Sequence, residues 1–291
     1  KERAGGNPFF IEEVVRSFID EGAVVRRGDN FVATDKIHDM AVPMTINEVR
    51  MGRIDRLDEE TRNLVKTASV IGRSFFHKII AQVAGDVPDI EKRLAHLEDI
   101  QLIRERKRMD ELEYLFKHAL AQEAAYESIL IQKRKELHLS VARAIEREFT
   151  GRLHEFYGML AYHYSKGEDF TKSEDYMIKA GEEAMKASAS SEALELFKNA
   201  LKIYKDKYGD KLDREKVLGI EKNIAMAYYY KGQHFEAAKI FRGLLDYYYG
   251  KASKNKVLRL LNAIAGFLHV VAALYIPAIK FKKIPNERDK L

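Results

Sequence analysis

The chain has 291 residues, 46% of them hydrophobic and 33% charged, so it is long enough for one or two packed domains and is not globally disordered. It contains no cysteine, which excludes disulfides, thiolate nucleophiles and cysteine-ligated metal centres and is typical of a reducing cytoplasm. A net charge of +5 is too small to indicate nucleic-acid binding by itself. Only 5 prolines and 17 glycines occur, which favours a mainly α fold.

The first 36 residues contain signals for a helix followed by a hairpin. After Pro8, apolar residues recur at helical spacing, and Gly22 provides a stop. Residues 23–34 then pair two short β-branched runs around a Gly-Asp-Asn turn, which predicts a hairpin. The chain starts at Lys1 without the pattern of a signal peptide, so we expect it to be a piece of a longer protein.

A second domain is predicted over residues 37–150, and its first half is expected to be helical. Apolar residues recur at helical spacing over residues 45–84, and Thr45 begins a capping box. The pattern breaks near Asp58 and Gly72. Two or three helices are therefore expected in this stretch.

The second half of this domain is predicted to contain a helix and a β-hairpin. Residues 86–99 carry one apolar helical stripe, residues 102–103 and 112–116 are expected strands, and the charged residues 104–111 are the expected turn. Helix, strand, turn and strand is the order of a winged helix. Helices over residues 119–149 then lead out of the domain.

Residues 151–291 are predicted to form a tetratricopeptide-like α-solenoid. All signals after Gly151 are helical, and parts of the segment follow the tetratricopeptide template, in which small residues let paired helices approach closely. We expect Ala225 and Ala237 at such close contacts. Residues 191–204 match only the second half of a repeat. The positions at template spacing are Ile224, Ala225, Tyr228, Gly232, Ala237 and Phe241, and more loosely Leu160, Ala161, Tyr164, Ser173, Met177 and Ala180.

The most apolar segment of the chain lies over residues 258–279. Four residues, Arg259, Asn262, Gly266 and His269, interrupt it, so a buried solenoid helix is favoured over a membrane-spanning helix. The lysines that follow are interpreted as part of a linker, with contact to a membrane surface as the less favoured alternative.

The chain contains none of the common enzyme motifs. There is no phosphate loop, no HExxH, no GxSxG and no Rossmann glycine pattern, and no histidine pair has the spacing of a metal site. His163 and Tyr164 are interpreted as residues of the packing or of a solvated edge, without chemistry. We therefore expect no catalytic residue, no metal and no enzymatic activity in this stretch of chain.

Several short motifs, in their joint order, resemble the signal-transducing ATPases with numerous domains, or STAND ATPases. The similarity is closest to predicted ATPases that are joined to adenylate cyclase or protein kinase domains and carry tetratricopeptide repeats. It covers nearly the whole chain and makes residues 1–36 the end of the helical lid of an ATPase. The motifs are Gly6–Glu13 with Gly22–Val24, Val42–Ile46 with Arg53–Leu57, Ala68–Gly72, and Phe116–Leu120 with Glu123–Tyr126.

The resemblance implies nucleotide contacts in the full-length protein. Gly6 and Pro8 match a Gly-x-Pro motif whose proline packs beside the adenine in that family, whereas by itself the motif needs to be no more than a turn and a helix start. His118 occupies the position of a histidine that reaches the β-phosphate of ADP and holds the domains closed. Imidazole suits that contact because it donates a hydrogen bond and can become cationic. The alternative is a structural histidine that packs under the wing.

The resemblance implies a cytoplasmic regulatory portion that couples a protein or peptide on the solenoid to the nucleotide state of an upstream ATPase core. ATP or ADP would bind only in the full-length protein. The first alternative is a tetratricopeptide scaffold that binds a peptide without any role for nucleotide. The second is a winged-helix DNA-binding regulator, suggested by the arginines of residues 104–108 but disfavoured by acidic residues on the preceding helix, among them Glu91, Glu98 and Asp99.

Overall fold

The computed structural model describes residues 22–28, 30–38, 54–85 and 87–250, together with five helical residues between Ile11 and Ile19. The described part contains ten α-helices and two small antiparallel sheets, which confirms a mainly α fold. Gly6, Pro8, the expected capping box at Thr45 and the apolar segment 258–279 lie outside the described residues.

The elements follow one another in a simple order. The strands are β1 (Val24–Arg27), β2 (Asn30–Ala33), β3 (Ser74–Phe76), β4 (Ile103–Arg108) and β5 (Glu111–Phe116). The helices are α1 (Glu59–Ile71), α2 (His77–Val83), α3 (Ile90–Asp99), α4 (Ala119–Glu127), α5 (Ile131–Glu148), α6 (Tyr157–Lys166), α7 (Phe170–Lys186), α8 (Ser190–Tyr208), α9 (Arg214–Tyr230) and α10 (His234–Tyr249). Short 3₁₀ turns lie at residues 35–38, 150–156 and 209–211.

The chain divides into two compact units, Lys1–Asp169 and Phe170–Leu291. The first unit contains both sheets and helices α1–α6, and the second contains α7–α10. Helix α6, which the sequence assigns to the solenoid, packs against α5 within the first unit.

The predicted hairpin near the start of the chain is confirmed. Strands β1 and β2 pair antiparallel from Val24 opposite Ala33 to Arg27 opposite Asn30. Gly22 ends the preceding helical segment with a positive φ of 69°, a conformation that glycine adopts at little cost. The hydroxyl of Thr34 donates to the Gly22 carbonyl at 2.9 Å and ties the end of the hairpin to this turn.

A strand interrupts the region that the sequence predicts to be entirely helical. Helix α1 ends at Gly72, as expected, but β3 follows and pairs antiparallel with β5, from Ser74 opposite Leu115 to Phe76 opposite Glu113. The expectation that the stretch up to Ala84 contains only helices is therefore wrong. The prediction failed because a strand of three residues is too short to show a periodicity of its own and is specified by the strand with which it pairs.

The β4–β5 hairpin is confirmed, but its turn is shorter than predicted. Residues 104–108 and Glu111 belong to the strands, and only Met109 and Asp110 form the turn, both with positive φ, as in a type I′ turn. Strand β4 lies at the edge of the β3-β5-β4 sheet and its charged residues are exposed. An edge strand tolerates such charges, so the charged run does not mark a loop.

Helix α1 begins at a hydrogen-bonded N-cap. The Asp58 carboxylate accepts from the Thr61 backbone N–H at 3.1 Å and from the Thr61 hydroxyl at 2.6 Å, and these bonds lower the pKa of Asp58. Arg93 from α3 also donates to Asp58 and lies 3.3 Å from Glu60. The cap therefore joins α1 to α3.

An aromatic cluster in the first unit includes residues of strands β3 and β5. The rings of Phe149 and Phe156 stack with centroids 4.2 Å apart, and Phe76 contacts both of them edge-on. Phe75 and Phe116, from the two paired strands, lie 5.7 Å apart and are almost fully buried. These contacts fix the sheet against the helices that follow it.

The second unit is a row of helices in which each packs against the next along the chain. Its core includes Leu194, Phe197, Ile220 and Ile224, and Gly181 lets the Phe197 ring approach the α7 backbone closely. Ala225 and Ala237 are 0% and 1% exposed, as expected for small residues at helix contacts.

Several helices end in the same turn. A residue with positive φ follows the helix, and the next N–H bonds back to the carbonyl five residues earlier, at 2.8–2.9 Å. Among the described helices this turn closes α3, α6, α7 and α9, where the positive-φ residues are Gln101, Glu168, Ser188 and Gly232. The last three connect consecutive helices through only three residues.

Candidate functional site

His118 lies where the hairpin passes into a helix. Strand β5 ends at Phe116, the Lys117 N–H donates to the Leu102 carbonyl at 3.1 Å, and α4 begins at Ala119 with His118 as its N-cap. The side chain of His118 is half-buried and does not cap the helix. The residues that follow His118 supply the first backbone N–H groups of α4, and the N-terminus of a helix favours anions.

Two glutamates of strand β5 pair with four basic side chains at the hairpin. Glu113 is 1% exposed and accepts from Arg106, and Arg108 lies 3.4 Å from its other oxygen. Glu111 is paired in the same way, with Lys78 at 2.9 Å and Arg152 at 3.1 Å. The two carboxylates offset two of these four positive charges.

Glu113 is a buried carboxylate with a lowered pKa. Burial alone raises the pKa of a carboxyl group, but hydrogen bonds from Arg106 and Ser74 outweigh burial and lower the pKa of Glu113. The pKa of Arg106 is raised by the same bond. The pair therefore favours the charged form of both side chains.

A chain of three polar side chains joins α4, α5 and α6. The Tyr126 hydroxyl lies 3.1 Å from Nε2 of His138, and Nδ1 of His138 lies 2.9 Å from Nδ1 of His163. His138 and His163 are 1% and 0% exposed. Nε2 of His163 makes no hydrogen bond of ordinary geometry, although the Ile71 carbonyl acts on its pKa.

Both histidines are neutral at ordinary pH. Desolvation by burial lowers the pKa of His138 to about 4, with Lys166 and Arg134 contributing in the same direction. Burial and the neighbouring His138 lower the pKa of His163 to about 3. The two Nδ1 atoms can share a hydrogen bond only if one ring donates and the other accepts, which two doubly protonated rings cannot do. The arrangement is therefore a packed neutral pair, which agrees with the interpretation of His163 as a packing residue.

The second unit has an open cleft of about 440 Å³ on one face of α9. Gly219 forms part of its floor, and Glu215, Lys216, Lys222 and Asn223 surround that glycine one helical turn before and after it. The remaining lining residues are Ile178 of α7, Ile220 of α9 and Tyr248 of α10.

A buried carboxylate holds one wall of the cleft. Nζ of Lys216 lies 2.7 Å from Oε1 of Glu174, which is 1% exposed, and 4.8 Å from the centre of the Tyr204 ring. Desolvation lowers the pKa of Lys216, but Glu174 outweighs it and the pKa is raised. On the opposite wall, the Tyr248 hydroxyl donates to Glu215 at 2.9 Å. Lys216 is therefore a positioned cation.

Sequence reasoning located His118 but missed both the histidine pair and the cleft. The pair depends on residues 25 positions apart that meet only through the packing of α5 against α6. The cleft had one readable signal, since Gly219 stands in the middle of a helix where glycine is unfavourable. Gly6 and Pro8 lie outside the described residues, so the structure does not bring them together with His118.

Comparison with known proteins does not identify a family for this chain. No protein-family model matches the chain, and no curated protein is significantly similar to it in sequence. Within the described residues there is no group of three or more histidine, aspartate or glutamate side chains that would hold a metal ion. None of the helices in that same part is long and apolar enough to cross a membrane.

Proposed function

We propose that this chain is the regulatory portion of a STAND ATPase, in which the second unit senses a protein or peptide and the first unit contacts ADP held by an upstream core. The observation that carries the proposal is the position of His118, half-buried directly after the hairpin and at the start of α4. The motifs from Ala68 to Gly72 and from Phe116 to Tyr126 support it.

The order of elements in the first unit supports a winged-helix assignment. Helix α1, strand β3, helices α2 and α3 and the β4–β5 hairpin follow one another, and the sheet order is β3-β5-β4. The short helix hairpins of the second unit, with alanines buried at their contacts, support a tetratricopeptide-like solenoid. We infer both identities from these arrangements.

In the proposed mechanism, His118 would contact ADP held by the upstream core, and this contact would stabilise a closed arrangement. A partner that binds the second unit better in the open arrangement shifts the population toward it. The His118 imidazole contributes a hydrogen bond to a charged phosphate, which is worth about 1.5–3 kcal/mol. Gly6 and Pro8 would lie beside the adenine, and the protein would act in the cytoplasm.

The test is ADP release from the full-length protein. His118→Ala should accelerate release roughly tenfold or more, because about 1.5–3 kcal/mol of closed-state stabilisation is lost. His96→Ala, which removes an exposed imidazole from α3, is the matched control and should leave release unchanged. Equal release rates for the two variants, with folding intact, would make His118 a structural residue and defeat the proposal.

A scaffold without nucleotide dependence is the second candidate, and the cleft on α9 favours it. In that case peptide would bind the second unit of the full-length protein with the same affinity in the presence and absence of ADP. DNA binding is supported less, because Glu111 and Glu113 each pair with two basic groups at the hairpin and α3 carries exposed Glu91 and Asp99.

A further inference from the structure

We propose that the outer edge of strand β4 binds a separate acidic polypeptide, which pairs with β4 as a further antiparallel strand of the β3-β5-β4 sheet. The inference adds an interaction surface to the first unit. It does not depend on the proposed roles of His118 and of the second unit.

Strand β4 has an open outer edge of regular geometry. No other strand of the described chain pairs with it on that side. Its pairing with β5 is continuous from Ile103 opposite Phe116 to Arg108 opposite Glu111, without a bulge, and the strand contains no proline. Bulges and prolines are two of the devices by which edge strands prevent further pairing. The backbone of β4 therefore permits a further strand.

The hydrogen bonds of the sheet fix which backbone groups of β4 point outward. In an antiparallel ladder, pairs of opposite residues that exchange hydrogen bonds alternate with pairs that do not. The Lys117 N–H donates to the Leu102 carbonyl, so the even-numbered residues of β4 bond toward β5. The odd-numbered residues, Ile103, Glu105 and Lys107, therefore direct their N–H and C=O groups away from the sheet.

A side chain of the same unit occupies one of these outward groups. The Glu105 N–H donates to Oε1 of Glu98, on α3, at 3.0 Å, which agrees with its outward direction. A strand that pairs with β4 needs the same N–H and has to displace the carboxylate. Glu98 is therefore a competitor of the partner strand at the middle of the edge.

The charges on one face of β4 favour an acidic partner. Arg104, Arg106 and Arg108 lie on this face, which we call the arginine face, because alternate side chains of a strand point the same way. Arg106 and Arg108 share the single carboxylate of Glu113, and Arg104 is exposed and makes no ion pair within the described chain. The three arginines therefore exceed this counter-ion by two charges. Glu111 does not reduce the excess, because two other basic groups share it.

An antiparallel partner brings its side chains directly opposite these arginines. The even-numbered residues of β4 do not bond outward, so each arginine faces a partner residue in a pair without hydrogen bonds. The Cα atoms of such a pair are about 4.5 Å apart, against about 5.5 Å in a hydrogen-bonded pair, so the side chains lie closest there. Opposite charges at these positions stabilise the pairing. The favoured strand therefore carries acidic residues at alternate positions, on the arginine face.

A second copy of this chain fits the edge poorly. If two β4 strands paired antiparallel, the odd-numbered residues would bond to one another, and the even-numbered residues would also face one another. Arginine would then stand opposite arginine in each register that uses most of the strand. Like charges directly opposite one another destabilise a sheet. The charges that oppose self-pairing are the ones that favour an acidic strand.

The pairing is tested with the 291-residue chain and a capped, fluorescently labelled peptide that has glutamate at alternate positions and threonine or valine between. Anisotropy titration at 0.15 M salt should show saturable binding. Methylation of the threonine and valine amide nitrogens should abolish binding, because these residues bond to β4, whereas methylation of the glutamate nitrogens should change affinity less than twofold. Equal loss for the two methylated peptides, or no saturable binding up to about 1 mM, would overturn the inference.

The competition by Glu98 predicts a gain of affinity. Glu98→Ala should strengthen binding of the glutamate peptide about threefold or more, because it frees the Glu105 N–H and removes a negative charge beside the peptide. Asp99→Ala is the matched control: it removes the same charge from an exposed neighbour on α3 and should change affinity less than twofold. Equal gains in the two variants, or a loss in Glu98→Ala, would contradict pairing at this edge.

The face of β4 that is involved is tested with two substitutions of equal charge. Arg104→Gln should weaken binding about fivefold, whereas Lys107→Gln, on the opposite face of the same strand, should weaken it less than twofold. The peptide with glutamine in place of each glutamate should bind the unmodified chain at least tenfold more weakly. Equal losses in the two variants would mean that the attraction is nonspecific, and the inference would be wrong.

Competition and sedimentation test the other possible occupants. A mixed-sequence DNA duplex should not displace the labelled peptide at 0.15 M salt, because it cannot pair with the outer edge of β4. Displacement by equimolar duplex would assign the surface to nucleic acid. The chain alone should sediment as a species that the glutamate peptide does not dissociate. A dimer that the peptide dissociates would assign the edge to a second copy, and either result would overturn the inference.

Discussion

Burial keeps His138 and His163 neutral in the folded chain, and this makes stability depend on pH. The pKa values, about 4 and about 3, lie below the value of 6.5 that an exposed histidine has, so the unfolded chain binds more protons between these limits. Stability is therefore fully present above pH 6.5 and falls as the pH decreases. Two such groups give a slope of up to about 2.7 kcal/mol per pH unit.

This dependence is measured as the urea midpoint at pH 7.5, 6 and 5. The unmodified chain should lose stability steeply from pH 6 to 5, where ordinary carboxylates are still ionised. His163→Gln should lose about half of the slope, whatever its stability at pH 7.5, and the exposed His96→Gln should keep all of it. An unchanged slope in His163→Gln would mean that the pair does not control acid stability.

A second prediction for a single residue concerns Gly181, where the α7 backbone contacts the ring of Phe197. A Cβ at this position would lie 2.5 Å from Cε1 of Phe197, which is closer than carbon atoms can approach. Gly181→Ala should therefore lower the free energy of unfolding by about 1–3 kcal/mol, although alanine favours a helix.

The control for Gly181→Ala is a double-mutant cycle with Phe197→Leu, measured by urea denaturation. Leucine removes the ring edge, so the alanine should cost less in the Phe197→Leu background than in the unmodified chain. Additive losses in the double variant would contradict the proposed clash.

At the scale of elements, the turn that closes α3, α6, α7 and α9 predicts how substitution of its positive-φ residue changes stability. Ser188 holds a positive φ of 61° between α7 and α8 and is exposed, whereas the equivalent residue between α9 and α10 is Gly232. Ser188→Gly should raise the free energy of unfolding by about 0.5–1 kcal/mol, because serine is strained in this conformation. Gly232→Ala should lower it by about 1 kcal/mol.

Thermal or urea denaturation of the two variants checks the turn. Gly209→Ala is a further comparison, because its positive φ of 50° occurs in the different, longer connection between α8 and α9. Changes of the same sign for Ser188→Gly and Gly232→Ala would show that these positions do not share one conformation.

The elements that sequence patterns predicted well are those whose signals are local. Gly22 ends the first helical segment, Gly72 ends α1, and the β1–β2 hairpin lies where its turn residues indicate. The elements that the sequence did not predict, strands β3 and β4, have no such local signal. Strand β3 is too short to carry a period of its own, and the exposed edge strand β4 has the charge of a loop.

At the scale of the whole molecule, the charge balance disfavours nucleic-acid binding. The net charge is only +5 over 291 residues, and Arg106 and Arg108 of the hairpin are paired with Glu113. We expect no saturable binding of a mixed-sequence DNA duplex at 0.15 M salt, and only weak, strongly salt-dependent binding below it. A specific complex that survives physiological salt would revive the DNA-binding alternative.

The candidate sites differ in how far sequence could predict them. His118 could be singled out because the residues around it resemble a motif of a known family. The cleft was not, because its charge balance depends on Glu174 of α7 being buried beside Lys216 of α9, and burial of a charged residue contradicts its ordinary surface preference. Packing between helices therefore decides which cations of this molecule face the solvent.

The chain from Tyr126 through His138 to His163 also has a direction, because each hydrogen bond in it has one donor. If the Tyr126 hydroxyl donates, His138 must carry its proton on Nδ1, and His163 then carries its own on Nε2. If His163 donates instead, each ring carries its proton on the other nitrogen and the hydroxyl accepts. Reversal therefore requires both rings to change tautomer together while the hydroxyl rotates, so the protons at the junction of α4, α5 and α6 move as one set.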